Sequence, residues 1–562
     1  MNCKKIFISF FFLCIHLFSC KNIPKIKEKD IVKKQEEIDG RKSMHINTIT
    51  VFALQNKGRV TDSIKITNPS LVESYYKKKG YKSIWSKKEN WLSVADSLYN
   101  FIENSRLYGL FPSDYNYYGL NLIRNKFSTD TLSVRDAVLW AKADVLLTDA
   151  FFSIVSHLRI GRIERDSVSL NPDSVLAENF FYENLDKALA ESDIKTVVDS
   201  LEPRHPFYKE LRGSIKSFLD SANLNYAYTW ITYPFKDSSF FINTLVKRLR
   251  EYGAIPDSIV KVDSVLLSSV IKKVQKEKGL RVDGKFGPSL VRMLNNTDEE
   301  KFKRIAITLD RYKQLPDTMP PTYVMINLAG FYLKLWDNDT VVFESKIVVG
   351  KPETRTPVLN SYISNIITYP QWTIPTSIIV KEILPALKKD TGYLEKKGYM
   401  LLNAKNELVD PGSVDWSKYT KGIPYKIVQG SGDDNALGVL KFNFGNKYSV
   451  YLHDTNQRYY FARSSRALSH GCVRVEKWQN LAYFILERDT RMLASSDSLT
   501  YLIDSLRTWL SREERHTIII KNKLPLYIRY FGCDVKNKQI VFFDDIYGED
   551  KELRERYFAN KN

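Results

Sequence analysis

The sequence predicts an α+β protein of several domains: a helical scaffold, a small three-helix domain, and a mostly antiparallel β domain with a helical cap insert. Three observations lead to this prediction. The chain has 562 residues, more than one hydrophobic core supports. Apolar residues recur at helical spacing from about residue 65 to residue 260. From about residue 321, short apolar runs are bounded by Asn, Asp and Gly, a pattern typical of antiparallel strands.

Composition places the chain among ordinary globular proteins. Hydrophobic residues make up 43% and charged residues 27%. These values exclude a mostly disordered chain, a collagen-like chain and a polytopic membrane protein. The formal net charge is +19, from 84 basic and 65 acidic residues. A basic chain favours anionic partners, namely nucleic acid, acidic lipid or an anionic cell-wall polymer, and charge does not choose among them.

The N-terminal segment predicts export. Lys4 and Lys5 precede an apolar run over residues 6–18, shorter than the ~20 residues that cross a bilayer, which indicates a secretory signal. The run ends in Leu-Phe-Ser-Cys, which resembles the lipobox of bacterial lipoproteins. That resemblance implies cleavage after residue 19 and acylation of Cys20. We therefore expect a periplasmic protein held by lipid at Cys20, on the outer membrane, with no nucleic-acid partner; a plain secretory signal is the alternative.

Cysteine usage agrees with this compartment. Of five cysteines, Cys3 and Cys14 would leave with the signal and Cys20 would carry lipid. Only Cys472 and Cys533 remain, too few for a disulfide framework. A thiol kept in an oxidising compartment suggests a nucleophile, and a disulfide between these two residues is the alternative.

Further along the chain, charge and periodicity divide the N-terminal half. Residues 20–64 begin with a highly charged stretch that predicts a solvated tether. Residues 65–260 predict a mainly helical scaffold domain. Its expected helices lie at 135–160, ended by Gly161, and at 177–190, 208–222 and 238–252.

Residues 263–296 form a distinct pattern. A helix to Lys278 is followed by an Asp283-Gly284 turn and a second helix after Pro288. The string resembles the small three-helix peptidoglycan-binding domain, with Val274 where the usual pattern has Phe. The residues that carry the resemblance are Gln275, Gly279, Leu280, Val282, Asp283, Gly284, Gly287, Pro288 and Leu294.

The C-terminal half predicts a β domain. A connecting helix within 297–320 leads into a domain over 321–550. An insert at about 376–415 interrupts the strands with helical stretches, including 378–387. The segment 447–453 alternates like a strand and ends on His453.

The chemistry-bearing motif is Ser-His-Gly-Cys-Val-Arg at residues 469–474. Cysteine attacks through its thiolate, and a neighbouring imidazolium lowers the thiol pKa. Gly471 permits a sharp turn, after which backbone N–H groups can form an oxyanion hole. Either His453, nineteen residues upstream of Cys472, or His470, two residues upstream, is a candidate base, and spacing alone leaves both open.

This motif resembles the catalytic domain of L,D-transpeptidases, whose signature is an upstream His and then Ser/Thr-His-Gly-Cys. Many members have Asn two residues after the cysteine, where this chain has Arg474. The segments 370–375, 435–438 and 450–455, the insert and both N-terminal domains are also similar to large multidomain members. The resemblance therefore covers most of residues 65–550.

The resemblance implies a reaction on peptidoglycan stem peptides. Cys472 would attack the carbonyl of the third residue of a tetrapeptide stem and release the terminal D-Ala. The side-chain amine of a second stem would then capture the thioester, giving a third-to-third cross-link. His453 would be the general base and acid, oriented by a backbone carbonyl such as that of Asp454. The insert would exclude water.

Further roles follow from the same resemblance. His470 would be auxiliary, beside an oxyanion site made by the backbone of Gly471. Arg474, Tyr451 and Ser469 would bind substrate, although Arg474 would alternatively brace the loop and Tyr451 would alternatively be a core aromatic. No cofactor and no metal is expected, because the histidines and the cysteine lack zinc-ligand spacing.

Three other functions compete with this one. A papain-like cysteine peptidase places Cys well before His, whereas His453 precedes Cys472 here. An L,D-carboxypeptidase on the same fold would use water in place of the amine. An inactive envelope-binding lipoprotein would hold the cell wall through residues 263–296.

Overall fold

The computed structural model describes residues 26–173, 175–224, 226–491 and 496–558. The chain divides into two compact units. Among the described residues, the first comprises those up to Asn104, Pro112–Val155 and those from Leu176 to Ser200, and the second comprises Ser105–Phe111, those from Ser156 to Val175 and those from Leu201 onward. The predicted lipid-attachment residue Cys20 lies outside the described residues. Within the described residues, no helix combines the length and the apolarity needed to span a membrane.

The N-terminal part of the chain is helical. Its elements are α1 (Ile38–Gln55), α2 (Pro69–Lys78), β1 (Ser86–Lys87), β2 (Asn90–Trp91), α3 (Ser93–Glu103), α4 (Tyr117–Thr129), α5 (Ala137–Arg159), α6 (Glu178–Glu191) and α7 (Ile194–Leu201). The helices predicted at 135–160 and 177–190 are thus confirmed as α5 and α6. Gly161 follows α5 with a φ of 83°, as a terminating glycine should.

Residues 38–55 differ from the expected tether, because they form α1. Ile38, Ile46 and Ile49 on this helix are fully buried. Lys42 is fully buried as well, and its Nζ donates to Ser86 Oγ at 3.1 Å. The many charged residues up to residue 42 made the apolar residues at helical spacing hard to see in the sequence. Burial of these apolar residues holds the segment in the first unit.

The second unit contains both helices and strands. Its helices are α8 (Pro206–Ser221), α9 (Ser238–Glu251), α10 (Ser264–Glu277), α11 (Pro288–Asn295), α12 (Asp298–Tyr312), α13 (Thr376–Ile378), α14 (Leu384–Leu387), α15 (Tyr393–Lys396), α16 (Trp478–Arg491), α17 (Ser496–Ser511) and α18 (Glu549–Tyr557). The helices predicted at 208–222 and 238–252 are confirmed as α8 and α9, and the connecting helix as α12.

Helices α9, α10 and α11 share one hydrophobic cluster, including Leu245, Ile271 and Leu294. The turn between α10 and α11 is organised by Gln275, whose Oε1 accepts the N–H groups of Asp283 and Gly284 at 3.0 and 2.9 Å. The core of this small module therefore includes α9, which sequence periodicity assigned to the scaffold.

Strands of the second unit are β3 (Thr322–Asn327), β4 (Tyr332–Asp337), β5 (Thr340–Gly350), β6 (Leu359–Thr368), β7 (Trp372–Thr373), β8 (Tyr399–Leu402), β9 (Lys426–Gln429), β10 (Leu440–Phe444), β11 (Leu452–His453), β12 (Ala467–Ser469), β13 (Val473–Val475), β14 (Thr517–Arg529), β15 (Cys533–Lys536) and β16 (Gln539–Phe542). In the described chain, the largest sheet has nine strands in the order β12-β5-β13-β11-β10-β6-β14-β3-β4.

This sheet is mostly antiparallel, as predicted, but mixed. The pairs β11–β13, β12–β5 and β14–β3 are parallel. Strand β4 also pairs with β5, so the sheet closes on itself. Its enclosed face carries the main core cluster, to which α16 contributes Trp478 and Leu481.

The insert is a folded element with its own core, and it extends beyond the predicted 376–415, from β7 at residue 372 to β9 at residue 429. Strands β7, β9 and β8 form a three-stranded sheet, and the buried residues around it include Leu394, Trp416 and Ile427. The predicted helical stretch 378–387 is present, with one π-helical turn at Ile379–Ile383. Pro385 follows that turn, and its missing N–H removes the donor that a continuous α-helix needs there.

Candidate active site

Alternation along three neighbouring strands gathers the site on one face of the sheet. Leu452 of β11 pairs with Val473 of β13, and both are fully buried in the core. Side chains next to them therefore project from the opposite face. That face carries the residues Lys441, Tyr451, His453, Cys472 and Arg474, with His453 paired to Arg474 on one side and to Lys441 on the other.

The structure thus brings Cys472 and His453 onto adjacent segments. Cys472 directly precedes β13, and the Val473 N–H donates to the Tyr451 carbonyl at 3.1 Å. His453 is one residue beyond the register partner of Val473. The predicted nucleophile and the predicted base consequently lie on one face, from strands nineteen residues apart in sequence.

The strand expected over 447–453 is shorter than predicted, because it begins only at Leu452. The cause is Asn446, whose Oδ1 accepts the N–H groups of Tyr448 and Val450 at 3.0 and 3.1 Å. Ser449 within this turn has a φ of 56°. The Ser449 carbonyl lies 3.9 Å from Cys472 Sγ, so the turn forms part of the wall around the thiol.

Ser469 braces the loop that presents Cys472. Its buried hydroxyl donates to the Cys472 carbonyl at 2.6 Å and accepts the Gly471 N–H at 3.1 Å. The Gly471 N–H is therefore engaged within the loop, unlike the free oxyanion donor that the sequence suggested. Gly471 has a φ of 124°, a backbone conformation that favours glycine. In the part of the chain that the structure describes, the Cys472 N–H donates no hydrogen bond.

Burial dominates the electrostatics of the thiol. It raises the pKa of half-buried Cys472. Hydrogen bonds from the backbone and the hydroxyl of Tyr451 oppose this shift, as do the charges of Lys441 and Arg474. This direction differs from the sequence-based expectation of a thiolate stabilised by an imidazolium, because desolvation of the negative form outweighs the neighbouring charges.

His453 is also kept neutral. Burial, followed by the charge of Arg474, lowers the pKa of His453 to about 3. The backbone carbonyls of Asp454 and Leu437 lie near the ring and oppose this shift. His453 Nδ1 is buried and makes no hydrogen bond of standard geometry among the described residues. The predicted orientation by the Asp454 carbonyl stays a prediction.

His470 points to the insert. Its Nε2 lies 2.6 Å from Glu382 Oε1, which belongs to the π-helical turn. The His470 side chain is 36% exposed and the Glu382 side chain 52% exposed. This contact joins the Ser-His-Gly-Cys loop to the insert.

Arg474 and Tyr451 each have defined partners. Arg474 donates to Gln457 Oε1 at 2.8 Å and its guanidinium lies over the ring of Tyr460, 5.3 Å from the centroid. Tyr451 is partly buried, and its ring centroid lies 5.7 Å from that of His453. These contacts fit a bracing role for Arg474 and leave its substrate role a prediction.

Cys472 and Cys533 are both free. Cys533 is fully buried and its Sγ lies 3.3 Å from Thr308 Oγ1. Burial raises the pKa of Cys533 to about 12, which makes this thiol inert. Among the residues that the structure describes, no group of three or more His, Cys, Asp or Glu is arranged to hold a metal ion.

Sequence reasoning missed two residues that shape the site. Thr356 Oγ1 donates to the Gly471 carbonyl at 2.7 Å and accepts the Gly350 N–H at 2.9 Å. The Tyr547 hydroxyl donates to the Gly350 carbonyl at 2.7 Å. Neither residue belongs to a local motif, so only the fold reveals them.

Family models assign two parts of the chain. Residues 321–492 match the model described as the L,D-transpeptidase catalytic domain. The chain carries an L,D-transpeptidase catalytic domain. Residues 70–214 match the model described as the Scaffold domain. The resemblance found in the sequence is thereby confirmed for these two parts.

A curated relative and solved structures were also found. A Haemophilus influenzae protein named "Putative L,D-transpeptidase" is 32% identical over 255 residues. The match covers 45% of this chain and 49% of that protein, so the chain spans about half the length of this relative. The crystal structure of a cysteine-to-serine mutant of the Enterococcus faecium L,D-transpeptidase aligns with this chain at 12% identity and a TM-score of 0.16. The alignment covers 42% of this chain and 64% of the chain in that structure.

A further structure, titled as the Ldtfm–avibactam carbamoyl enzyme, aligns at 13% identity and a TM-score of 0.16. It covers 57% of this chain and 98% of its own. With scores this low, the assignment rests on the family models and on the Haemophilus influenzae relative.

Proposed function

We propose that the protein is a cysteine-dependent L,D-transpeptidase that cross-links peptidoglycan stem peptides. The observation that carries the proposal is the common sheet face of Cys472 and His453, within a domain of this family. The donor is a tetrapeptide stem and the acceptor is the side-chain amine of a second stem. The product is a third-to-third cross-link.

In the acylation step, Sγ of Cys472 attacks the carbonyl carbon of the third stem residue while the imidazole of His453 takes the thiol proton. The neutral imidazole suits this task, since only an unprotonated ring accepts a proton. The Cys472 N–H is the donor best placed for the developing oxyanion, because the Gly471 N–H already serves Ser469. The proton then passes from His453 to the departing D-Ala amine.

In the transfer step, the amine of the acceptor attacks the thioester carbonyl and Cys472 leaves as the thiol. Water competes with the amine at this stage. The insert, held to the catalytic loop by Glu382 and His470, is the element that restricts water. If water attacked the thioester faster than the amine, the enzyme would be an L,D-carboxypeptidase.

The test uses a soluble form of the protein from about Lys21 onward, incubated with purified disaccharide-tetrapeptide, with products identified by mass spectrometry. We expect dimers that have lost one D-Ala. Monomers without D-Ala and without dimers would replace the proposal with a carboxypeptidase. Cys472→Ala should abolish turnover and leave the fold intact, with Cys533→Ser as the matched thiol control that retains turnover. Unchanged substrate with a folded wild type would favour an inactive envelope-binding protein.

We further propose that Cys20 is acylated and holds the protein at the periplasmic face of the outer membrane. The Leu-Phe-Ser-Cys sequence supports this proposal. Mass spectrometry of the membrane-extracted protein should give an N-terminal peptide that begins at Cys20 and carries acyl chains, and Cys20→Ser should abolish both the acylation and the cleavage after residue 19. A processed but unmodified cysteine would indicate a plain secretory signal.

Residues 263–296 are proposed to bind peptidoglycan directly. The ordered turn residues and the shared core of α9, α10 and α11 support a folded module. Co-sedimentation of the intact protein with insoluble peptidoglycan tests this role. Disrupting the turn with Gln275→Ala should weaken co-sedimentation, whereas equal co-sedimentation of both proteins would argue against it.

A further inference from the structure

Lys441 is a cationic side chain beside Cys472 that the proposed reaction has not used. It pairs with His453 across the β10–β11 ladder. Its sequence neighbours Leu440 and Phe442 are fully buried in the core, so the Lys441 side chain projects from the face that carries Cys472. Its Nζ lies 3.9 Å from the centroid of the Tyr451 ring.

The surroundings of Lys441 offer it no carboxylate. Within the described residues, no ion pair or side-chain hydrogen bond involves its ammonium group. The groups around it are His453 from β11, Tyr451 just before β11, Cys472 from the catalytic loop, Arg474 from β13, and Arg515 ahead of β14.

This arrangement carries an electrostatic cost. A partly buried ammonium without a counter-anion is disfavoured by desolvation, which lowers the pKa of Lys441. The aromatic face of Tyr451 offsets part of that cost. The negative charge of the Cys472 thiolate attracts the Lys441 ammonium group and therefore favours its charged form.

We propose that Lys441 is a positioning residue whose positive charge favours the Cys472 thiolate. The charge acts as the thiol proton passes to His453, when negative charge appears on Sγ. Arg474 is the other cation near the thiol, but its guanidinium is already held by Gln457 and Tyr460. The inference rests on the proposed function, since both concern the same nucleophile.

The consequence for catalysis is a lower barrier to thiol deprotonation. His453 is neutral and buried, and in the resting site it contributes no positive charge near Sγ. The counter-charge for the thiolate therefore comes from cationic side chains on the sheet face, with no oxidant, metal or further reactant needed. Lys441 reaches this position only because β10 and β11 are in this register.

The test measures alkylation of the thiol by iodoacetamide between pH 7 and pH 9, with each rate followed by intact-protein mass spectrometry. Cys533 is fully buried, so the native protein reports on Cys472. We expect Lys441→Met to slow alkylation about tenfold at each pH, equal to a rise of about one unit in the thiol pKa. Lys441→Arg, which keeps the charge, should restore the rate to within about threefold.

Lys477→Met is the matched control, because it removes an exposed lysine of the same domain and should leave the alkylation rate unchanged. Circular dichroism and an unreactive Cys533 verify folding of each variant. If Lys441→Met is alkylated at the wild-type rate, the inference is overturned. This holds even if the variant loses cross-linking activity, because that loss would then indicate that Lys441 binds a substrate carboxylate. Failure of Lys441→Arg to restore the rate would also overturn it, since that result indicates a neutral amine acting as a base.

Alkylation requires no peptidoglycan, so this inference and the proposed function fail separately. A displaced alkylation profile without cross-linking would uphold the inference and reject the transpeptidase. Cross-linking by the wild type, together with an unchanged alkylation profile in Lys441→Met, would uphold the transpeptidase and reject the inference.

Discussion

His470 Nε2 lies 2.6 Å from Glu382 Oε1, and this contact connects the Ser-His-Gly-Cys loop to the insert. Both side chains are partly exposed, so the contact contributes at most ~1 kcal/mol to folding stability. The contact links the insert to the catalytic loop.

We expect Glu382→Ala to raise the ratio of hydrolysed to cross-linked product severalfold, with the melting temperature nearly unchanged, because a looser insert admits water to the thioester. Mass spectrometry of both products gives the ratio. Glu395→Ala, an exposed carboxylate of the same insert, is the control. An unchanged ratio in Glu382→Ala would show that this contact of the insert does not limit the access of water to the thioester.

The two histidines should differ in importance. His453→Ala is expected to lower the cross-linking rate by about 10²–10⁴-fold, because it removes the base that faces the thiol side of the sheet. His470→Ala should cost less than about tenfold, because His470 contacts the insert. Initial rates of dimer formation decide the matter, and equal losses would reopen the assignment of the base.

The resting site should hold a neutral thiol and a neutral imidazole. The pKa of Cys472 is raised, so its thiol stays protonated up to alkaline pH, and the pKa of His453 is lowered to about 3, so its ring is unprotonated above that value. Between pH 5 and pH 8, the 240 nm absorbance difference between wild type and Cys472→Ser should stay flat. A thiolate signal near pH 6 would instead indicate a thiolate–imidazolium pair.

Ser469→Ala should destabilise the catalytic loop. The buried hydroxyl serves both the Gly471 N–H and the Cys472 carbonyl, and its loss leaves these groups unpaired at a cost of about 1–3 kcal/mol. Denaturant unfolding measures this change in the free energy of unfolding. Ser465→Ala, at an exposed position before β12, should change it by less than ~0.5 kcal/mol, and equal values for both variants would contradict the bracing role.

Local patterns were sufficient for the elements whose signal is periodic. Helices α5, α9 and α12 follow from apolar spacing, and the catalytic motif follows from a short string around Cys472. The tether prediction was wrong over α1 because net charge obscured the stripe made by Ile38, Ile46 and Ile49. Composition over a window does not reveal which face of a helix is apolar.

Non-local features escaped prediction for a physical reason. Alternation over 447–453 favours a strand, but the side chain of Asn446 binds the backbone of the next residues and forms a turn instead. The engagement of the Gly471 N–H by Ser469, and the position of Lys441, depend on loop conformation and on strand register. Neither is encoded in the spacing of residues along the chain.

The insert enters and leaves the catalytic domain through β7 and β9, which pair Trp372 with Gln429. Its two ends are therefore separated by about the 4.5–5.5 Å between paired strand residues. Because the insert also has its own core, we expect that it can be exchanged as a unit. A linker of a few residues would bridge the gap after excision, and a different lid could be grafted between the same two strands while the nine-stranded sheet keeps its register.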